Sequence, residues 1–339
     1  MTEILMARQA AFTIVIDDVD VSDDISSFVE SFSYTDNSAD KADEINLTLD
    51  NTDGRWSREW EPEKGVKIQA QIDVFGGGIP ASQLYCGTFT VDEIESSWPP
   101  SIVQVKAISS PVATSLRREL KTAKFESTTL KNIAQDVADN AGLELFYDAP
   151  TNPQYKRKDQ KAKSDLAFLQ SLCKKEGLSL KITDTHVVIF DEAKYESQDA
   201  IGTIDFHKSL VSSWRFRNQA HETYDSASVS YHDPESKGLK SFVFDGETPV
   251  GTGQTLEINE RVESVGEAER LAKNRLREKN KKEKTGSISL AGNVNLVAGA
   301  CVNLSGFGNF DGKYFVEEAK HTFSPAYKTE IEIRKVLDY

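Results

Sequence analysis

The sequence predicts an α+β chain of mainly β structure, in which two similar antiparallel β-barrel-like modules flank a small α+β domain. Three observations carry this prediction. Apolar and polar residues alternate in short stretches towards both ends of the chain, as in strands with one buried face. A glycine-bounded stretch that begins at residue 87 recurs at residue 312. In the middle third, apolar residues instead recur at helical spacing.

The repeated stretch is the feature that relates the two ends of the chain. Residues 87–100 and 312–325 both begin with glycine, with an aromatic residue two positions later and valine four positions later. Two acidic residues, an apolar residue and an aromatic residue just before a proline stop follow in each. This self-similarity predicts two related β-modules. The alternative is that strands bounded by glycine resemble one another by chance.

The first module is predicted to span residues 1–112 and to contain about five strands. Its clearest strand is 44–49, where Ile45, Leu47 and Leu49 share one face. The other strands are predicted at 12–16, at 66–74, around 89–91 and at 102–105. Strands at this spacing, separated by glycine and proline, are typical of a small barrel or sandwich.

The middle domain is predicted to span residues 113–200 and to repeat one helix–strand unit. The helices lie at 128–138 and 164–172, and each ends before a glycine suited to a left-handed cap. The strands follow at 143–147 and 178–182, and the second forms a hairpin with 186–190. A basic run at 155–163 separates the units; we interpret it as a solvated loop, the alternative being a contact with nucleic acid or an acidic partner.

The second module is predicted to span residues 201–339, with strands at 227–231 and 240–244 and an inserted charged helix at about 264–282. Acidic residues begin this helix and basic residues end it, which complements the helix dipole. Its apolar stripe is narrow and contains Ala268 and Ala272. Such a stripe fits close docking on a sheet or on another chain.

Composition limits the classes of function. The 339 residues carry a net charge of −14, which opposes non-specific binding to nucleic acid or to an anionic membrane. No apolar run is long enough to span a bilayer, and the N-terminus lacks a secretory signal, so synthesis in a cytosol is expected. Three separated cysteines, Cys86, Cys173 and Cys301, predict buried thiols rather than a disulfide framework.

The sequence contains no local signature of catalysis. It lacks a phosphate-binding loop and a nucleophile elbow, and its five histidines are too far apart in sequence for a local metal pair. We therefore predict a protein that is not an enzyme, with no catalytic, cofactor-binding or metal-binding residues. The 54 acidic residues leave a glycosidase-like carboxylate pair open, since some pair can always meet in space.

Several stretches resemble the phage late control protein D family, the tail or baseplate hub proteins of contractile phages and phage-like injection systems. They are residues 20–25 followed by 31–36, Ile45-Asn46-Leu47-Thr48-Leu49-Asp50, Ser164-Asp165-Leu166-Ala167-Phe168-Leu169, Glu267-Ala268-Glu269, and Asp311-Gly312-Lys313-Tyr314 ahead of His321. The resemblance covers most of the chain through loose patterns. It departs from the family at Ala326-Tyr327, where Gly-Tyr is expected.

The resemblance implies a structural hub in the tail baseplate of a virion, a contractile injection system or a tailocin. It implies a homotrimer whose tail-tube-like modules form a pseudo-sixfold ring between the sixfold tail tube and the threefold central spike. The partners would be its own copies, the tube protein, the spike protein and other baseplate proteins, with no membrane and no nucleic acid beyond a possible lumen. The alternatives are a tail-associated peptidoglycan hydrolase and a wall-binding tail-tip module.

The repeat supports the same function without the family. Three copies of a chain can meet a hexamer in equivalent contacts only if each copy presents two similar surfaces. A duplicated β-module provides such surfaces.

Overall fold

The computed structural model describes residues 9–76, 80–109, 115–233, 238–246, 251, 253–260, 262 and 265–339. The strands are β1 Gln9–Ile16, β2 Val19–Asp20, β3 Val29–Asn37, β4 Glu44–Asp50, β5 Lys67–Phe75, β6 Ser82–Ser97, β7 Ile102–Ile108, β8 Lys121–Thr129, β9 Glu144–Asp148, β10 Gln154–Lys163, β11 Ser179–Ile182, β12 His186–Phe190, β13 Thr203–Asp205, β14 Val211–Asn218, β15 Ser226–Asp233, β16 Gly238–Asp245, β17 Thr255–Ile258, β18 Lys284–Ala291, β19 Cys301–Ser305, β20 Gly312–Phe323 and β21 Tyr327–Lys335. The helices are α1 Ser22–Ile25, α2 Ser115–Arg118, α3 Leu130–Ala141, α4 Asp165–Glu176, α5 Glu192–Ser197 and α6 Val265–Asn280.

Thirteen strands from both ends of the chain form one sheet. Its order is β14-β18-β21-β20-β3-β4-β7-β6-β5-β1-β2, and β13 and β19 extend it beside the first half of β20. Every pair is antiparallel except β13 with β19. The chain is therefore mainly β, as the alternating patterns predicted.

The sheet contains two halves with the same connectivity. The first half is ordered β3-β4-β7-β6-β5-β1 and the second β14-β18-β21-β20-β19-β13, and the strands follow each other along the chain in the same sequence in both. The halves differ at the last strand, because β1 is antiparallel to β5 whereas β13 is parallel to β19. We call these halves the first and second β-modules.

The two barrel-like modules are open sheets and do not close into barrels. Within the described part of the chain, the path of paired strands ends at β14 on one side and at β2 on the other. Barrel closure would require β3 to return to the far edge of its own module. It pairs instead with β20 of the second module, which satisfies its edge and joins the two sheets.

Irregularities in the two modules coincide, which makes chance similarity a poor explanation of the repeat. A bulge between Val91 and Glu93 interrupts the pairing of β6 with β7, and one between Val316 and Glu318 interrupts that of β20 with β21. An extra residue in a strand bends it and increases its twist. The duplicated element therefore has the same curvature-forming defect in both copies.

A second bulge and a loop contact repeat as well. The register between β3 and β4 shifts between Val29 and Ser31, and that between β14 and β18 shifts between Val211 and Ser213.

The repeated loop contact is a hydrogen bond from a loop glycine to the long strand of each module, β6 in the first and β20 in the second. The amide of Gly65 donates to the carbonyl of Val91 at 2.9 Å, and that of Gly299 donates to Val316 at 2.9 Å. Both glycines have positive φ, +89° and +83°, which other residues rarely adopt.

The middle third contains two helix–strand units, α3 with β9 and α4 with β11. Sheet β11-β12-β9 is covered by α3 and α4, and β9 runs parallel to β12. The Thr129 hydroxyl caps α3 by accepting from the Asn132 amide at 3.2 Å, and the Ser164 hydroxyl caps α4 by accepting from the Ala167 amide at 3.3 Å. Local signals were sufficient here because capping and periodicity act within a few residues.

The basic run at 155–163 is a strand, so the predicted loop was wrong. It forms most of β10, which pairs with β8. Tyr155 and Gln160 are its buried residues, and they lie five positions apart, an odd spacing that does not fit the simple alternation by which a strand is recognised. The lysines and arginines between them hold their charges at the surface while the backbone pairs.

The insertion in the second module is larger than the single predicted helix. Strands β15, β16 and β17 do not join the thirteen-stranded sheet but form a separate sheet, β16-β15-β17. Helix α6 packs against it with Ala268, Leu271, Ala272 and Leu276 buried. The alanines bring the helix close to β15, so docking on a sheet accounts for the narrow stripe. Ser264, the predicted start of the helix, lies outside the described residues.

Candidate assembly surface

The two β-modules meet along one antiparallel pair of strands, which we call the seam. It joins residues 32–37 of β3 to residues 318–323 of β20. Phe32 and Phe323 lie opposite each other with ring centroids 6.2 Å apart, and Phe12 stacks on Phe32 at 4.9 Å. Aromatic pairs across neighbouring strands stabilise a sheet beyond the area they bury. The seam is therefore both hydrogen-bonded and packed.

His321 is the polar residue at the centre of the seam. It is fully buried, and its ring stacks on that of Tyr34, directly opposite, at 6.0 Å. Its Nε2 donates to the carbonyl of Leu296 at 3.0 Å, which leaves Nδ1 to accept from the hydroxyl of Tyr327 at 2.8 Å. Burial lowers the pKa of His321 to about 4, so the imidazole is neutral at pH 7.

We expect acidification to weaken the folded state through His321. In the unfolded chain its pKa is about 6.5, so the unfolded state binds more protons than the folded state between about pH 6.5 and about pH 4. Acidification therefore stabilises the unfolded state relative to the folded state. Between about pH 7.5 and about pH 5 the loss should be about 2 kcal/mol. Urea denaturation of the wild type and of His321→Gln at both pH values checks this. An equal pH dependence in the two proteins would contradict it.

A buried charge triad stands beside the seam. Lys181 of β11 places its Nζ 2.9 Å from an oxygen of Asp36 and 2.9 Å from an oxygen of Asp43. The second oxygen of Asp36 accepts from the amide of Ala298 at 2.8 Å. Burial raises the pKa of Asp43 to about 6, although the charge of Lys181 opposes this shift. Burial would lower the pKa of Lys181, but the carboxylates of Asp36 and Asp43 outweigh burial and raise it. The triad ties the middle domain to both modules.

A second buried network holds the middle domain on the second module. Arg334 of β21 is fully buried, with Nη2 2.6 Å from Glu192 and 2.5 Å from Glu196 of α5. Arg277 of α6 pairs with Glu196, and Lys281, the residue that follows α6, lies 2.5 Å from Glu192. Burial opposes ionisation of both glutamates, but the cations outweigh it and lower both pKa values. The three elements are thereby fixed to one another.

The equivalents of the two seam strands lie at the surface. Strand β14 occupies the position of β3 in its module, and within the described residues it pairs with β18 alone. Residues 93–97 of β6 occupy the position of the seam part of β20, and their described strand partner is β7 on the other side. Each chain therefore has one occupied seam and, in the part of the chain described, a second pair of edges without strand partners.

The described residues contain no group of three or more His, Cys, Asp or Glu side chains placed to hold a metal ion. The three described cysteines are buried. A polar cleft of about 390 Å³ between α4 and α6 is lined by ion-paired side chains such as Lys174 and Glu278. None of the described helices is both long and apolar enough to cross a membrane.

The sequence singled out no site residues, and the surfaces above were not recognised from it as a contact region. A usable signal existed in the aligned positions of the repeat. Phe323 in the second copy corresponds to Trp98 in the first, so a residue known to be buried in one module had an identifiable counterpart in the other.

Comparison with known proteins identifies phage baseplate hub proteins as curated relatives of this chain. A probable baseplate hub protein of Escherichia phage P2 is 30% identical over 171 residues, a match that covers 49% of this chain and 41% of that protein. The matched part is therefore about two fifths of the length of this curated relative.

Solved structures agree in fold. The 43 kDa tail protein of prophage MuSo2 from Shewanella oneidensis superposes with a TM-score of 0.72 at 15% identity, over 96% of this chain and 98% of the other. An E. coli type VI secretion component, described as similar to T4 tail proteins gp27 and gp5, superposes with a TM-score of 0.55 at 12% identity, over 96% of this chain and 76% of the other.

The family model described as "Phage tail baseplate hub (GPD)" matches residues 106–327, about two thirds of the chain. This match confirms the resemblance predicted from the sequence, and phage proteins of this kind are structural components of the virion tail. The chain belongs to the phage tail baseplate hub (GPD) family.

Proposed function

We propose that this hub protein is a homotrimer whose six β-modules form a pseudo-sixfold ring, which adapts the sixfold tail tube to the threefold central spike. The observation that carries the proposal is the duplication: the same strand order, and the same two bulges, in each half of the sheet. Two similar modules per chain give a trimer six similar surfaces.

The division of labour follows from the same observation. Residues 1–112 and 201–339 supply the two ring modules, and residues 113–200 lie outside the ring. The buried triad at Lys181 and the network at Arg334 support this arrangement, because they hold the middle domain against both modules without using either set of outer strand edges. A rigid chain suits a symmetry adaptor, since the six surfaces of the ring must keep their relative positions.

The partners proposed are the tail tube protein on one face of the ring, the central spike protein on the other, and further baseplate proteins around it. The type VI component with the same fold is described as similar to both gp27 and gp5 of the T4 tail, which supports a hub set among tail proteins. A role without enzymatic activity is part of the proposal and is supported by the structural nature of the family.

The mass of the purified chain in solution tests the proposal. Light scattering, alone and with the spike protein, should give about 113 kDa for the hub, three times the 37.7 kDa of one chain. An image down the axis should show six similar lobes. A chain that stays monomeric in both conditions would overturn the trimer, and soluble muropeptides released from purified peptidoglycan would overturn the non-enzymatic role.

A further inference from the structure

We propose that neighbouring copies join by backbone pairing of β14 of one copy with residues 93–98 of the next, an intermolecular second version of the seam. The inference rests on the proposed homotrimer and adds the strands, their register and the contacting side chains. Within each chain, β3 of the first module pairs with β20 of the second. The equivalent edges, β14 of the second module and the end of β6 in the first, remain at the surface.

Exposure of aromatic residues marks the second pair of edges. In the seam, Phe32 is 0% exposed and Phe323 is 8% exposed. Their equivalents Trp214 and Trp98 are 47% and 81% exposed. Phe323 is covered because β3 lies against β20, and within the described residues no strand covers Trp98 in that way. Large aromatic residues on an unpaired strand edge are typical of an interaction surface.

The bulges determine the register of the proposed pairing. Those in β6 and β20 place Val91 at the position of Val316, and those in β3 and β14 place Val29 at the position of Val211. Residues of β20 thus lie 225 positions after their equivalents in β6, and residues of β14 lie 182 positions after theirs in β3.

Two pairs follow when the seam is transferred in this register. The seam pair of Phe323 with Phe32 becomes Trp98 with Trp214, and the pair of Lys320 with Thr35 becomes Glu95 with Arg217. One transferred pair joins two exposed tryptophans, and the other joins opposite charges.

The charges of the two edges are complementary beyond that pair. The exposed part of β14 contains Arg215 and Arg217, whereas the edge of β6 contains Asp92, Glu93 and Glu95, all exposed. Opposite charges across neighbouring strands favour one register, and like charges disfavour others. Each edge repels a copy of itself, so head-to-tail pairing between β14 and β6 is favoured over symmetric pairing of like edges.

A second copy of the chain is the occupant that fits both edges. The two edges are complementary to each other, they belong to one chain, and they repeat a contact that the chain already makes internally. A head-to-tail contact of this kind generates a ring when the rotation closes. With one internal seam and one intermolecular seam per chain, three copies contain six seams in alternation.

Cysteine cross-linking tests the register directly. Directly opposite residues have Cβ atoms about 4.5–5.5 Å apart, close to the range of a disulfide. We expect Glu95→Cys/Arg217→Cys to form disulfide-linked dimers and trimers under mild oxidation, seen on a non-reducing gel. The matched control is Glu95→Cys/Ser213→Cys, which moves one thiol four residues, about 13 Å, along the same strand. It should cross-link at least about tenfold less.

Charge reversal gives an independent measurement. Arg217→Glu should raise the trimer dissociation constant at least tenfold in analytical ultracentrifugation, and Glu95→Arg/Arg217→Glu should restore wild-type assembly. Both positions are exposed, and circular dichroism verifies folding of each variant.

The outcomes separate this inference from the proposed function. If the wild type is trimeric but Glu95→Cys/Arg217→Cys cross-links no more than its control and charge reversal has no effect, the pairing is wrong and the trimer stands. If the cysteines link the chain to another baseplate protein only, the pairing is also wrong. If the wild type is monomeric alone and with the spike protein, both proposals fail together.

Discussion

Replacing Arg334 with alanine is expected to lower the free energy of unfolding by about 3–5 kcal/mol. The guanidinium is fully buried between Glu192 and Glu196 and stacks over Phe315, with Cζ 4.5 Å from the ring centroid. Its removal leaves two carboxylates in a buried site with less compensating charge. Removing one partner of a buried network costs more free energy than the intact network contributes, because the remaining charge stays buried and cannot recover its hydration.

Urea denaturation followed by tryptophan fluorescence measures this effect. The matched control is Arg157→Ala, which breaks a pair between Arg157 Nε and Asp159 at 2.9 Å on the exposed ribbon of β8 and β10. Exposed pairs contribute less than about 1 kcal/mol. Equal, small losses in the two variants would show that the network at Arg334 is open to water and does not hold the middle domain.

Phe32→Ala is expected to lower the free energy of unfolding by about 3–5 kcal/mol. Phe32 is 0% exposed, stacks on Phe12 and lies opposite Phe323, so the truncation leaves a cavity where the two modules meet. The surrounding strands cannot collapse into that space without breaking the backbone pairing of the seam. The loss should therefore fall on the contact that joins the modules.

The matched control is Phe146→Ala in β9, where the side chain is 49% exposed. This change removes the same atoms from a strand without opening a buried cavity and should lower the free energy of unfolding by less than about 1 kcal/mol. The same denaturation experiment compares the two variants. A loss at Phe32 no larger than the loss at Phe146 would mean that aromatic packing does not stabilise the seam.

The repeat contained more structural information than a shared pattern of glycine and aromatic residues. Its two adjacent acids, Asp92-Glu93 and Glu317-Glu318, lie at the bulges of β6 and β20. In a regular strand, consecutive side chains point to opposite faces, so one acid of each pair would face the core. The bulge inserts a residue and breaks that alternation, so two adjacent acids are tolerated at this point of the strand. This is why the pair of acids appears in the sequence as a feature of both copies of the repeat.

Other features had no local signal. The basic strand β10 alternates poorly because only Tyr155 and Gln160 are buried in it. Strands β15 and β16 have ordinary strand patterns, and a pattern of this kind cannot specify which sheet a strand joins. Arg334, Glu192 and Glu196 are charged residues of kinds normally found at the surface, and the residues on either side of them do not reveal that they are buried together.

The sequence by itself determined the strands and helices of most of the chain, the order of its parts and the fact that one β-module occurs twice. These properties depend on periodicity, capping and turns, which act over a few residues. The tertiary structure alone decided that the modules stay open and meet at β3 and β20, segments almost 300 positions apart in the chain. Strand pairing over that distance depends on shape and edge complementarity in the folded molecule. It therefore could not be read from either strand alone.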